Sequence, residues 1–178
     1  MEENIVKEIF VYYLLFLIVF TMHEFEEVLF LTKWLNKNGN ILKNKFRKRP
    51  INKIVKEMDE VKFGLIVLEE YLLLLGSLIY VVLTDKNIIF VGVVIGYTFH
   101  IIVHIIQALV AKRYIPGLST GIISGGISIY IAYKMISLYA YHFIDIVEAT
   151  FIIFSVIVLN LLICHFVVNK LFERNDQI

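Results

Sequence analysis

Residues 10–31 read FVYYLLFLIVFTMHEFEEVLFL, an apolar run interrupted by His23, Glu24, Glu26 and Glu27 and then resumed. How this stretch is read decides the fold. If the charged residues marked the end of a helix, Phe10 to Met22 would have to cross a bilayer alone. That run makes only about 20 Å of helix, against a hydrocarbon core of about 30 Å. Val28, Leu29, Phe30 and Leu31 then restore the apolar pattern. The stretch therefore predicts one membrane helix over about residues 8–35, with His and Glu embedded in it.

The rest of the chain repeats the pattern. Apolar segments over 63–83, 88–111, 118–140 and 144–169 are each long enough to cross, with some tilt. Residues 36–62 form a polar, basic loop with room for a short surface helix. The expected fold is all-α: a polytopic membrane bundle of about five transmembrane helices, one domain over 1–178. Composition agrees, with 59% of the 178 residues hydrophobic and 19% charged, where soluble domains carry about 25% charge. The first segment follows acidic residues and precedes charged ones, so it is expected to stay as a permanent helix rather than a cleaved signal. Cys164 is the single cysteine, which excludes an internal disulfide framework and a Cys-based zinc site; its expected role is that of a small apolar side chain.

Basic residues choose an orientation. Ten Lys and Arg lie between Lys33 and Lys62, and Lys112, Arg113, Lys170 and Arg174 join them on one side of a five-helix topology. Only Lys7 and Lys86 fall on the other side, and Lys134 can snorkel to it. This asymmetry predicts an N-terminus outside and a cytoplasmic C-terminus. Anionic lipid accounts for the basic loop without a nucleic-acid partner. Gly117, Gly121 and Gly125 recur every four residues, and Gly92 and Gly96 repeat the interval. Such faces let helices approach closely in lipid, within one chain or between the subunits of a homo-oligomer. Pro116-Gly117 reads as the turn that opens the helix over 118–140.

Embedded ionisable residues are costly, about 2.5–3.5 kcal/mol each on insertion scales, so they point to function. Glu69 and Glu70 sit inside the 63–83 helix, and His100 and His104 are flanked by apolar residues in 88–111. The topology brings these to the depth of the first-helix cluster. At about 100° per residue, His23 and Glu27 share a face flanked by Glu26, and His100 and His104 share another that Gln107 continues. Glu24 points away from Glu27 by about 60°, toward the edge of the site or elsewhere. Glu69 and Glu70 diverge, and Glu70 is the one expected to face inward. His142 falls in an outer loop and reads as solvated, while His165 stands near the inner end of the last helix.

Glu and His together are ligands for zinc, iron or manganese, and helical bundles build such sites from facing helices. The candidate ligands are His23, Glu26, Glu27, Glu70, His100 and His104, with Glu27 the candidate general base. The competing readings are a proton or ion relay through the same residues, and interhelical pairing that only specifies packing.

The segment His23-Glu24-Phe25-Glu26-Glu27 fits His-x-x-Glu-Glu. In a small membrane chain with further embedded Glu and paired His, it resembles the HXXEE family of uncharacterised membrane proteins. The resemblance implies membrane location and carries His23, Glu26 and Glu27 as the motif residues; it implies no reaction. His-Glu-x-x-His and His-x-x-Glu-His protease motifs both fail, because Glu27 stands where each requires His. The function expected is a metal-dependent membrane enzyme acting on a lipid or other apolar substrate. A proton- or ion-translocating protein and a non-catalytic membrane accessory protein are the alternatives.

Overall fold

Five helices make up the described part of the chain, residues 2–45 and 59–175 of the computed structural model. They are α1 (Glu2–Lys45), α2 (Glu60–Thr84), α3 (Asn87–Ala111), α4 (Leu118–Tyr139) and α5 (Phe143–Asn175). All five are long and apolar enough to cross a membrane, the make of a multi-pass membrane protein. In lipid only intrahelical bonding satisfies the backbone of such segments, which explains why the connections are confined to the bundle's ends.

The bundle's outer helices run longer than the sequence expectation: α1 starts at Glu2 and α5 ends at Asn175, and the largest difference is at the end of α1. Helix α1 continues through residues 36–45, which hydropathy assigned to the loop. Its 44 residues make about 66 Å of helix, so α1 projects well beyond a 30 Å core. The physical reason is local: no proline occurs before Pro50, and a helix emerging into water keeps its internal hydrogen bonds without an apolar face. Residues 46–58, about half of the expected basic loop, lie outside the described residues.

Capping sets the other ends. Asp59 Oδ1 accepts the Lys62 N–H at 2.8 Å and starts α2. Asp85 takes a left-handed conformation between α2 and α3, and Lys112 does so after α3. The Lys112 and Arg113 N–H groups bond back to Leu109 and Ala108 carbonyls.

Helix α3 is central, packed against α2, α4 and α5, while α1 packs on α4 and α2. The core holds Phe16, Phe90, Val91, Val94, Ile131 and Met135. Edge-on aromatic pairs join α1 to α3, with Tyr13–Phe90 centroids at 4.7 Å and Phe16–Tyr97 at 5.4 Å. Large apolar side chains such as Leu109, Phe143, Phe151 and Leu162 point outward, the arrangement that lipid as solvent produces. Gly117, Gly121 and Gly125 face His23 and Ile101, and Gly92 lies against Ala149 and Ile153. These small-residue faces are thus filled by helices of the same chain. Cys164 packs with Ile66 and Val168.

One end of the bundle collects the basic residues. Arg113 donates to Asn38, next to Lys37 on α1, at 3.4 Å, and the Lys62 ammonium lies 5.2 Å from the Phe172 ring centre. Glu8 and Lys134, 3.5 Å apart, mark the opposite end.

Candidate metal site

Three helices converge about two turns from the basic end, where α3 presents His100 and His104, α1 presents His23 and Glu27, and α4 begins. The i, i+4 spacing on α3 puts both imidazoles on one face. His23 is fully buried, and Glu27 and His104 are 6% and 7% exposed. Nε2 of His100 lies 3.3 Å from Nε2 of His23 and 2.9 Å from Nε2 of His104. One ring nitrogen from each of the three histidines fits within a 4.8 Å group, which could hold a metal ion. Glu27 Oε1 joins through His104 Nε2, at 3.1 Å. For comparison, nitrogens around tetrahedral zinc, at about 2.0–2.1 Å from the metal, stand about 3.3 Å apart.

Hydrogen bonding around the cluster makes proton placement informative. Glu26 accepts the Thr120 N–H at 3.0 Å, the Thr120 hydroxyl at 2.6 Å, and the Tyr114 hydroxyl. The Glu26 carboxylate therefore caps the start of α4, where helix N–H groups favour an anion. Partial desolvation and then the bond to Glu26 raise the Tyr114 phenol above its ordinary value, keeping it a donor. Thr120 has one hydroxyl proton and gives it to Glu26. Its oxygen, 3.5 Å from His23 Nδ1, is left to accept, so Nδ1 carries the His23 proton and Nε2 turns a lone pair inward.

With Glu27 ionised and all three imidazoles neutral, the remaining protons cannot be placed. If His104 Nε2 donates to ionised Glu27, either His100 aims a second N–H at it or the lone pairs of His100 and His23 face each other. If His100 Nε2 donates instead, a bare His104 Nε2 faces the carboxylate. No set of three neutral imidazoles and an ionised Glu27 satisfies all three contacts. A cation among the nitrogens does satisfy them, and so does one further proton, on Glu27 or on His23 Nε2. Buried His104 Nδ1 also has no partner among the described residues.

The other sequence candidates lie nearby or elsewhere. Glu26 is turned onto α4 and reaches His23 through Thr120, the position of a residue that orients a ligand. Glu70 lines a cavity with Glu24, His100 and Asn160. Glu69 accepts from Asn160 at 2.7 Å. Gln107 and His142 are exposed, and His165 is half-buried on α5, outside the histidine group.

Two residues outside the candidate ligand set shape the site. Gly117, read in the sequence as a turn and as part of a close-approach face, has φ 87° and stands so close that a Cβ would meet Glu27 Oε1 at 2.5 Å. Thr120 stands 3.5 Å from His23 Nδ1 and joins it to Glu26, and only its place one turn after Pro116-Gly117 hints at that. Tyr97 stacks on His100 with centroids 6.1 Å apart and hydrogen-bonds Ser124 at 2.7 Å.

Fold and site together define a small helical membrane protein with a histidine cluster buried among its helices. A family profile described as "Protein of unknown function with HXXEE motif" matches residues 14–132, well over half of the 178. The chain belongs to the HXXEE family. The match takes in all three histidines and Glu27 and stops before α5. Comparison with curated proteins and with solved structures gave no match.

Proposed function

We propose that this chain is a metal-dependent membrane enzyme acting on a lipid or another apolar substrate, with a divalent zinc, iron or manganese ion on His23, His100 and His104. One observation carries the reading: one ring nitrogen from each of three histidines fits within a 4.8 Å group that Glu27 adjoins at 3.1 Å from His104, and a cation there satisfies every contact without an added proton. Three imidazoles are a catalytic rather than a closed structural set, because they leave a position for water or substrate. A divalent ion there supplies Lewis acidity and an activated water, or oxidation chemistry in the case of iron. In this reading the chain's own groups divide the work. His23, held by Thr120 and Glu26, and His100, stacked on Tyr97, fix the nitrogens. Glu27 takes the proton as general base. The bundle excludes bulk water. The positive-inside pattern supports an outside N-terminus and a cytoplasmic C-terminus, which puts the site in the cytoplasmic half of the bilayer.

Purified protein reconstituted in liposomes of defined lipids, with products followed by mass spectrometry, tests the reading. Turnover should stop on chelation and return with one of the three metals. Glu27→Gln should keep the metal and lose about 100-fold or more in rate, the usual scale of a general base. Equal turnover in Glu27→Gln, or none with metal bound across lipid classes, contradicts it. A second reading rests on the string of contacts from Thr120 through His23, His100 and His104 to Glu27. With an additional proton on it, this string is a proton relay. Proton flux in the same liposomes that needs Glu27 but no metal favours that reading.

A further inference from the structure

A second space adjoins the histidines. A cavity of about 160 Å³ lies between α1, α2, α3 and α5, and His100 belongs both to its wall and to the histidine group. Helix register orders its lining. Glu24, Glu70 and Asn160 lie toward the basic end, and Phe16, Val93 and Ile153 toward the other. From Phe16 to Glu24 along α1 is about 12 Å at 1.5 Å per residue. The cavity is thus polar at one end and apolar along its length. Leu73 and Val156 line it yet are 37% and 48% exposed, so its mouth opens between α2 and α5 toward lipid.

The carboxylates at the polar end are the unexplained element. Glu24 is only 5% exposed and makes no hydrogen bond among the described residues, yet it borders the cavity. Glu70 faces the same space, and Asn160 is held by Glu69 rather than by either of them. Two carboxylates without donors at membrane depth repel each other unless a proton is taken up or positive charge lies between them.

We propose that this cavity binds a single-chain amphiphile with an ammonium head, the head between Glu24 and Glu70 and the chain along the apolar wall toward the mouth. The volume suits a chain segment of about five heavy atoms, on the scale of about 30 Å³ for a water-sized group. An anionic head is excluded by the same pair of acids. Because His100 is shared, the head of such an amphiphile lies beside the histidine cluster. Its role as substrate rests on the metal-dependent reading above; its binding does not.

Photolabelling with a hexylamine that carries a terminal alkyl diazirine tests this on wild type in neutral detergent, beside the matching hexanol and hexanoate. The amine should label α2 and α5 peptides that line the cavity at least tenfold more than the hexanoate. Excess hexylamine should compete, and the double variant Glu24→Gln/Glu70→Gln should lose at least tenfold of the labelling. Equal labelling by all three heads, labelling elsewhere, or full labelling in the double variant overturns the proposal. Metal content measured on the same samples separates the two claims. Amine labelling without metal sinks only the metal reading, and metal without amine labelling sinks only this one.

Discussion

Glu26 and Glu27 are neighbours in sequence with different work to do. Glu27 meets His104, whereas Glu26 caps α4 and orients His23 through Thr120. Removing Glu26 takes away a cap, worth about 1 kcal/mol, and an outer-shell partner, worth about 10–100-fold in metal affinity. Glu26→Ala should therefore lower Tm and weaken metal binding by that factor in a chelator competition, without abolishing it. Complete loss of the metal would instead make Glu26 a direct ligand. Gly117→Ala puts a Cβ against Glu27 in a left-handed backbone that costs about 1–2 kcal/mol for other residues. A lower Tm and displaced metal are expected, and wild-type values for both would contradict the geometry. At this scale the sequence was informative about faces. The i, i+4 rule aligned His100 with His104 and His23 with Glu27, because those pairs lie on single helices. It was silent on Thr120 and on the contact of Gly117 with Glu27, which arise only when α4 meets α1.

Helix packing makes a sharper distinction among glycines than their spacing does. A Cβ on Gly92 would stand 3.1 Å from the Ala149 carbonyl oxygen, while one on Gly126 would meet nothing within 4 Å. Gly92→Ala must push α5 away from α3 by a few tenths of an ångström. Gly126→Ala costs nothing in contacts and gains about 0.5–1 kcal/mol of helix preference. Thermal unfolding in one detergent should place the first variant below wild type and the second at or above it; the reverse order would overturn the α3–α5 packing. The regular Gly117-Gly121-Gly125 interval was legible as a close-approach face, but not which partner filled it. The five helices were legible because hydropathy tracks lipid contact. The last ten residues of α1 were not, since a helix in water has no apolar pattern to declare it.

Across the whole molecule, charge and polarity are separated along the bundle axis. Lys37, Lys62, Lys112 and Arg113 share one end, and Lys7, Lys86 and Lys134 belong to the other. The proposed orientation follows from that asymmetry. Lys7→Cys should react with an impermeant maleimide on intact cells, and Lys37→Cys only after permeabilisation, with buried Cys164 as a weak background. The opposite pattern would invert the topology and move the site to the outer half of the membrane. Depth was legible in the sequence because alternating helices fix which ends meet. Whether the embedded acids form one cluster or two was not; the fold puts Glu24 and Glu70 on the wall of a cavity that His100 also lines, while Glu27 meets His104.

The central claim is that a cation belongs among His23, His100 and His104. Elemental analysis of detergent-purified wild type beside His23→Ala and His104→Ala, all loaded with zinc, iron or manganese and desalted, tests it most directly. About one equivalent of one of these metals in wild type, lost from both variants while they remain folded, is the predicted result. No metal in folded wild type, or the same content in all three proteins, would contradict it.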